Sequence, residues 1–223
     1  SPAIVSAYGE QYGEELIPSL PELFLQVGKW ERTRFRFWRI VTQLFSENFF
    51  APIHEWCQRN GVELTGHLVK EESYASQVET NGSCMPHYEH FDVPGMDWLG
   101  RGLAPVTTTL QVASVAAQLG RRVVLSETFA LCGWHVRFEE LKRIYQWQMV
   151  RGITWLCPHL QGYTLRGLRK RDYPPSLFFQ QPWWPDWHRF TEYVSRIGAL
   201  LASGRERCDL LVLHGQSSAW ITQ

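Results

Sequence analysis

Arg121-Arg122-Val123-Val124-Leu125-Ser126-Glu127-Thr128-Phe129-Ala130 decides how this chain is read. Val123, Val124 and Leu125 form a continuous apolar run, which suits a strand buried on both faces, as parallel strands are. The run ends at Ser126-Glu127. A carboxylate at the C-terminal end of a buried parallel strand stands where barrel folds gather their polar side chains. The plainer alternative is a loop glutamate or the first residue of a helix.

The flanking segments repeat one unit: helix, glycine, buried strand, polar strand end. Upstream, Val106 to Leu119 predicts a helix closed by Gly120. Downstream, Phe138 to Val150 predicts a helix with Phe138, Leu141, Tyr145 and Met149 on one face. Gly152 follows, then a strand over Ile153–Cys157 that ends at Pro158-His159. Earlier, residues 31–59 read as helical, with Phe35, Trp38, Val41, Phe45, Phe49, Ile53 and Trp56 on one face and Pro52 dividing it. Asn60-Gly61 closes that stretch, and Val62–Leu68 predicts a strand with His67, Glu71 and Glu72 at or beyond its end. Met96-Asp97-Trp98-Leu99 is another short strand end. Ile4–Tyr8 reads as a strand leading into Gly9-Glu10-Gln11. After a proline-rich loop over 160–185, Asp186 is placed to cap a helix burying Phe190, Tyr193, Val194, Ile197, Leu200 and Leu201. Gly204 and a last strand over Asp209–Leu213, ending at His214, close the chain.

Alternating helices and buried strands define an α/β protein with a parallel sheet. A doubly wound sheet and a barrel both fit. No glycine-rich phosphate loop follows a strand, which argues against nucleotide binding. In a barrel, Glu10, His67 with Glu71, Glu127 and His159 converge on one mouth.

Composition narrows the partners. Formal net charge is zero, so neither nucleic acid nor an acidic membrane surface is expected. The five cysteines are scattered, odd in number and without a C-x-x-C pair. A disulfide framework and a zinc site are therefore not expected, and the lean is to a reducing, cytoplasmic compartment. No signal-peptide pattern and no apolar run of membrane length is read in these residues. The opening Ser1-Pro2-Ala3-Ile4-Val5 enters mid-structure, as a fragment would. Eleven tryptophans, eight tyrosines and twelve phenylalanines supply core and also suit flat, amphipathic ligands such as sugars.

Cleavage of a glycosidic bond needs two carboxyl groups across the scissile bond. One protonates the leaving oxygen, and the other attacks or activates water. Glu127 with Glu10 or Glu71 supplies such a pair, with no cofactor. His67, Trp134, His159, Tyr163, Arg166, Trp183 and Trp184 are the groups expected to hold a sugar. Trp147 and Trp155 read as core, and Arg169-Lys170-Arg171 as a solvated or loop-pinning run. His67, His87, His90 and Asp92 would serve a metal-dependent hydrolase, but their spacing matches no ligand motif, and no metal is expected.

A family resemblance rests on Ser126-Glu127-Thr128-Phe129, Gly133-Trp134-His135 and Phe138-Glu139-Glu140-Leu141-Lys142. It continues through Gln146-Trp147-Gln148, Gly152-Ile153, Pro158-His159-Leu160, Arg169-Lys170-Arg171-Asp172-Tyr173-Pro174-Pro175 and Gln181-Pro182-Trp183-Trp184. These segments resemble large bacterial (β/α)8-barrel glycoside hydrolases of the α-L-rhamnosidase-like kind, which often carry a family-two-type sugar-binding domain. The resemblance spans residues 60–220 and is most specific over 121–185.

It implies the later part of a TIM-barrel-like (β/α)8 fold over residues 1–204, with 205–223 opening a following domain or forming a terminal strand. The strand ending at Glu127 would match strand seven, which carries the nucleophile, and Ile153–Cys157 would match strand eight. Ile4–Gln11 resembles strand four, which carries the acid/base. Such enzymes often read Asp-Glu-Pro there, whereas this chain reads Gly9-Glu10-Gln11, which leaves Glu71 as a rival. Strands one to three would be absent, so the expectation is a fragment of a longer enzyme that supplies them. The substrate would be a glycoside or oligosaccharide. The alternatives are a carbohydrate-binding protein without turnover and the metal-dependent hydrolase.

Overall fold

The computed structural model describes every residue except Pro175, Arg205, Glu206 and Gln223, and leaves out the side chains of Arg169 and Lys170. The basic run and the Pro174-Pro175 pair therefore lie partly outside the described residues. In chain order the elements are α1 (Pro2–Tyr12), α2 (Trp30–Phe45), α3 (Ala51–Arg59), β1 (Thr65–Gly66), α4 (Tyr74–Asn81), α5 (Met85–Tyr88) and β2 (Val93–Trp98). They continue with α6 (Val106–Gln118), β3 (Leu125–Thr128), α7 (Phe138–Met149), β4 (Trp155–Pro158), α8 (Trp187–Ser203) and α9 (Gln216–Thr222). The chain divides into two compact units. One comprises Ser1–Leu64, Leu68–Phe91 and the chain from Asp209 on; the other comprises Thr65–His67 and Asp92–Cys208.

The first unit is helical. Residues 4–8, expected as a strand, are instead part of α1, with Pro2 in its first turn and Gly13 closing it in the left-handed conformation. Proline is tolerated in a first turn because its missing N–H would have no partner there. Tyr8 on α1 is buried with Leu16 and Ile40. The long helical stretch is divided by a π-helical turn at Ser46–Phe50 just ahead of Pro52, which occupies the first turn of α3. Its buried positions include Thr33, Arg34, Ile40 and Thr42. Phe49, Ile53 and Trp56, expected on the buried face, are exposed. Buried Arg34 donates to the Glu22 carbonyl at 3.2 Å and to the Ile221 carbonyl at 3.1 Å, which ties down α9. Residues 209–213 form no strand. Leu210, Leu211, Val212 and Leu213 are all exposed.

The second unit holds a parallel four-stranded sheet in the order β1-β2-β3-β4. The strands lie side by side in sequence order. A doubly wound sheet reverses order at a switch point; this sheet does not. The strands are shorter than expected. Val62–Leu68 contracts to Thr65–Gly66, and β3 begins at Leu125. Nor is β3 buried on both faces. Ser126 and Thr128 are fully buried, while Leu125 and Glu127 are only half-buried, the alternation that a two-residue period produces.

Helices α6 and α7 connect successive strands, and α8 follows β4. Two glycines allow the close packing. Gly152, at a positive φ of 95°, would place a Cβ 2.8 Å from the Ala113 Cβ on α6. Gly198 on α8 would place one 2.6 Å from the Thr154 carbonyl oxygen, just before β4. Asp186 precedes α8 but makes no side-chain cap; its carboxylate pairs with Arg189 instead, at 3.2 Å. Phe190, Val194 and Gly198 form the buried stripe of α8, whereas Leu200 and Leu201 are exposed. Trp155, expected in the core, is 53% exposed on the same strand face as Glu127. Trp147 donates its indole N–H to the Ala104 carbonyl at 2.8 Å. No helix among the described residues is long and apolar enough to cross a membrane.

Candidate active site

Strand register builds the site. Asp97, Glu127 and Cys157 are paired residues on β2, β3 and β4, so the three side chains emerge in one row on one face. The opposite face anchors the row. Thr128 donates its hydroxyl to the Trp98 carbonyl at 3.0 Å, and Gln148 on α7 reaches Thr128 at 3.4 Å. The His159 N–H donates to the Thr128 carbonyl at 2.7 Å. That bond extends the ladder one residue past β4 and brings the His159 ring beside Glu127.

Both Glu127 oxygens are engaged. His159 Nδ1 lies 2.6 Å from Oε1, and His67 Nε2 lies 2.9 Å from Oε2. His67 leaves the end of β1 and crosses over β2 to make this contact. Its Nδ1 is 4.0 Å from Asp97 Oδ2. Burial pushes the Glu127 carboxyl up, but the His159 hydrogen bond and the charges of His67 and His159 outweigh it. The net effect holds Glu127 below the ordinary carboxylate range, so it is an anion at neutral pH. The Cys157 thiol is pushed up, by burial first and by the Glu127 charge second.

The chain turns sharply just after Glu127. Phe129 and Leu131 both adopt positive φ, 83° and 61°. Such backbone is uncommon for bulky residues and persists only where its surroundings impose it. Here the Gly100 N–H donates to the Ala130 carbonyl at 2.7 Å, and the Leu131 N–H to the Pro174 carbonyl at 3.2 Å. Arg101 reaches the Glu140 carboxylate at 2.9 and 2.5 Å and also contacts His135. The loops after β2 and β3 are thereby joined around Trp134, which is 39% exposed.

Other expected site residues fall in different settings. Tyr163 is 89% exposed and Arg166 is exposed, both in the loop after β4. Trp183 donates to the Val136 carbonyl at 2.9 Å and packs on Phe138. Trp184 stacks on Trp187 and packs edge-on against Phe178. These two indoles are parts of an aromatic stack. Glu10 lies on α1, not at a strand end, and accepts from Ser6 at 2.8 Å. Glu71, in the helical unit, is fully buried and accepts the Tyr88 hydroxyl.

The residues weighed as metal ligands have structural partners. His87 is stacked on Phe50, with Nε2 3.0 Å from the Asn81 carbonyl. His90 meets Ser46 at 2.9 Å, and Asp92 lies 3.9 Å from Arg121. Asp97 and Cys157 were not among the expected site residues. Asp97 carried the available signal, a carboxylate at a short strand end, whereas only register reveals Cys157.

An α/β unit with a clamped glutamate on a sequentially ordered parallel sheet is the class that fold and site define. No family model matches the chain. It is 24% identical over 208 residues to a Formosa agariphila protein provisionally named a beta-glucuronidase, covering 91% of this chain. It shares its fold with a rhamnosidase from Novosphingobium sp. PP1Y, with a TM-score of 0.70 over 92% of this chain and 17% identity. The chain spans 17% of the length of the first and 21% of the second.

Proposed function

We propose that this chain is part of a glycoside hydrolase whose substrate is a glycoside, and that Glu127 is its nucleophile or water-activating base. The observation that carries this is the Glu127 carboxylate, ionised and gripped by imidazoles at 2.9 and 2.6 Å. A base or nucleophile must be unprotonated at working pH, and its geometry must be fixed before substrate arrives. The strand order and the two glycosidase-named relatives favour a (β/α)8 barrel, in which the row at the strand ends faces the mouth.

In this reading a second carboxyl serves as general acid. The strand-end argument for Glu10 lapses with its place on a helix. Asp97 is the candidate on the same sheet, one strand away from Glu127. Neighbouring strands lie about 4.8 Å apart. An Asp97–Glu127 pair would therefore fall near the separation of about 5–5.5 Å typical of retaining enzymes. In this reading Trp134, Tyr163, Arg166 and His159 contact the sugar.

The test uses the chain and the longest protein that contains it, assayed with p-nitrophenyl rhamnoside and p-nitrophenyl glucuronide. Glu127→Gln should lower kcat by a factor of about 100 to 10,000 with the fold retained. Azide restoring turnover to Glu127→Ala marks a nucleophile, and absence of rescue marks a base. Asp97→Asn, Glu71→Gln and Glu10→Gln identify the acid by which of them loses turnover only on poor leaving groups. Full turnover in Glu127→Gln would refute the assignment. Sugar binding without turnover in the parent would make the protein a carbohydrate-binding one.

A further inference from the structure

Leu210, Leu211, Val212 and Leu213 follow one another at between 75% and 88% exposure. A single exposed apolar side chain is ordinary, whereas a contiguous exposed apolar patch marks a surface of interaction. None of the four makes a backbone hydrogen bond to another described residue. The chain is nevertheless fixed directly after them. His214 meets the Tyr74 ring edge-on at 4.9 Å. Gln216 and Trp220 on α9 donate to the Gly82 carbonyl at 3.0 and 2.6 Å. The run is therefore held out from a packed helix.

The order along the chain is apolar run, His214-Gly215, then helix α9. That is the layout of a βα unit, whose loops commonly run about two to six residues. An uninterrupted apolar run belongs to a strand covered on both faces, as an interior strand of a parallel sheet is. Strands that stay exposed at an edge are instead blunted by charges, proline or bulges. Residues 210–213 carry neither charge nor proline. The described residues of the helical unit contain no strand for the run to join. Proteins of the size of the two relatives have room for such a sheet, since this chain spans 17% and 21% of their lengths.

We infer that residues 210–213 are an interaction strand that enters a parallel β-sheet of a longer protein, built from residues outside these 223. The run pairs there through its backbone on both sides and buries side chains on both faces. A second copy of this chain fits less well. Two runs paired across a two-fold axis would each keep one backbone edge unpaired. The inference goes beyond the glycosidase reading and stands whether or not Glu127 is catalytic.

The test is hydrogen exchange, read by mass spectrometry, on the longest protein that contains this chain. The amides of residues 211–213 should exchange at least about 100-fold more slowly than in an unstructured peptide of the same sequence. Val212→Pro stays apolar but deletes one ladder donor, and should abolish that protection. Val212→Ile should keep it. Exchange at the peptide rate in the unsubstituted protein overturns the proposal. So does protection that survives Val212→Pro, which would mean cover without strand pairing. Protection that fades on dilution, as a dimer gives way to a monomer, also overturns it, because the occupant is then a second copy. None of these outcomes changes the test of Glu127.

Discussion

Gly198→Ala sets two physical effects against each other, and the geometry says which wins. Gly198 is a buried mid-helix residue of α8. Replacing it with alanine favours the helix by about 0.8–1.0 kcal/mol. The new methyl, however, would sit 2.6 Å from the backbone carbonyl oxygen of Thr154, where non-bonded heavy atoms prefer about 3.5–4.0 Å. A backbone oxygen cannot swing aside as a side chain does, so α8 must shift outward or the start of β4 must move. Overpacking of this kind costs about 1–3 kcal/mol.

The net expectation is a loss of about 1–2 kcal/mol, or a urea midpoint lower by about 0.5–1 M at typical slopes. Ala199→Gly, one residue on and exposed, is the control. It loses helix propensity alone, about 1 kcal/mol. A Gly198→Ala midpoint at or above that of the parent would refute the packing of α8 against the segment leading to His159.

Three further outcomes follow from other parts of the molecule. Burial, reinforced by neighbouring His90, pushes the His87 imidazole down, against the raising effect of the hydrogen bond that its ring N–H donates to the Asn81 carbonyl. Below the unfolded value of about 6.5, the unfolded chain takes up a proton that the native ring refuses. Stability should therefore fall as pH drops below that point, and His87→Phe should flatten a thermal-midpoint profile recorded between about pH 8 and pH 5.

Glu127→Gln removes an anion that raises the Cys157 thiol, so iodoacetamide should alkylate Cys157 severalfold faster in that variant at mildly alkaline pH. An unchanged rate would separate the two side chains. Arg34→Met leaves the Glu22 and Ile221 carbonyls without their donor. The expected loss is about 2–3 kcal/mol, with α9 the first segment released to limited proteolysis.

Local chemistry made the α6-β3-α7-β4-α8 succession legible. Each of its helices runs twelve residues or more, long enough for a period near 3.6 to stand apart from a period of two. Glu127 on the central strand was legible for the same reason. The Ile4–Tyr8 segment was not. Five residues hold too little periodicity to distinguish a strand from a helix. The contacts that settle it, Tyr8 with Leu16 and Ile40, come from elsewhere in the chain. The terminal Leu210–Leu213 run misled for a related reason: apolar composition does not create a partner strand, and the run stays exposed.

The sequence by itself determined an α/β protein with a carboxylate on a parallel strand. It could not determine what surrounds that carboxylate. Asp97, Glu127 and Cys157 are thirty residues apart along the chain and become neighbours only through strand register. His67 reaches Glu127 from the far side of β2, and His159 through a backbone bond to Thr128. Register depends on hydrogen bonds between strands that no local residue encodes, and a slip of one residue would turn Glu127 to the buried face. The ionised glutamate between two imidazoles is therefore a product of tertiary structure.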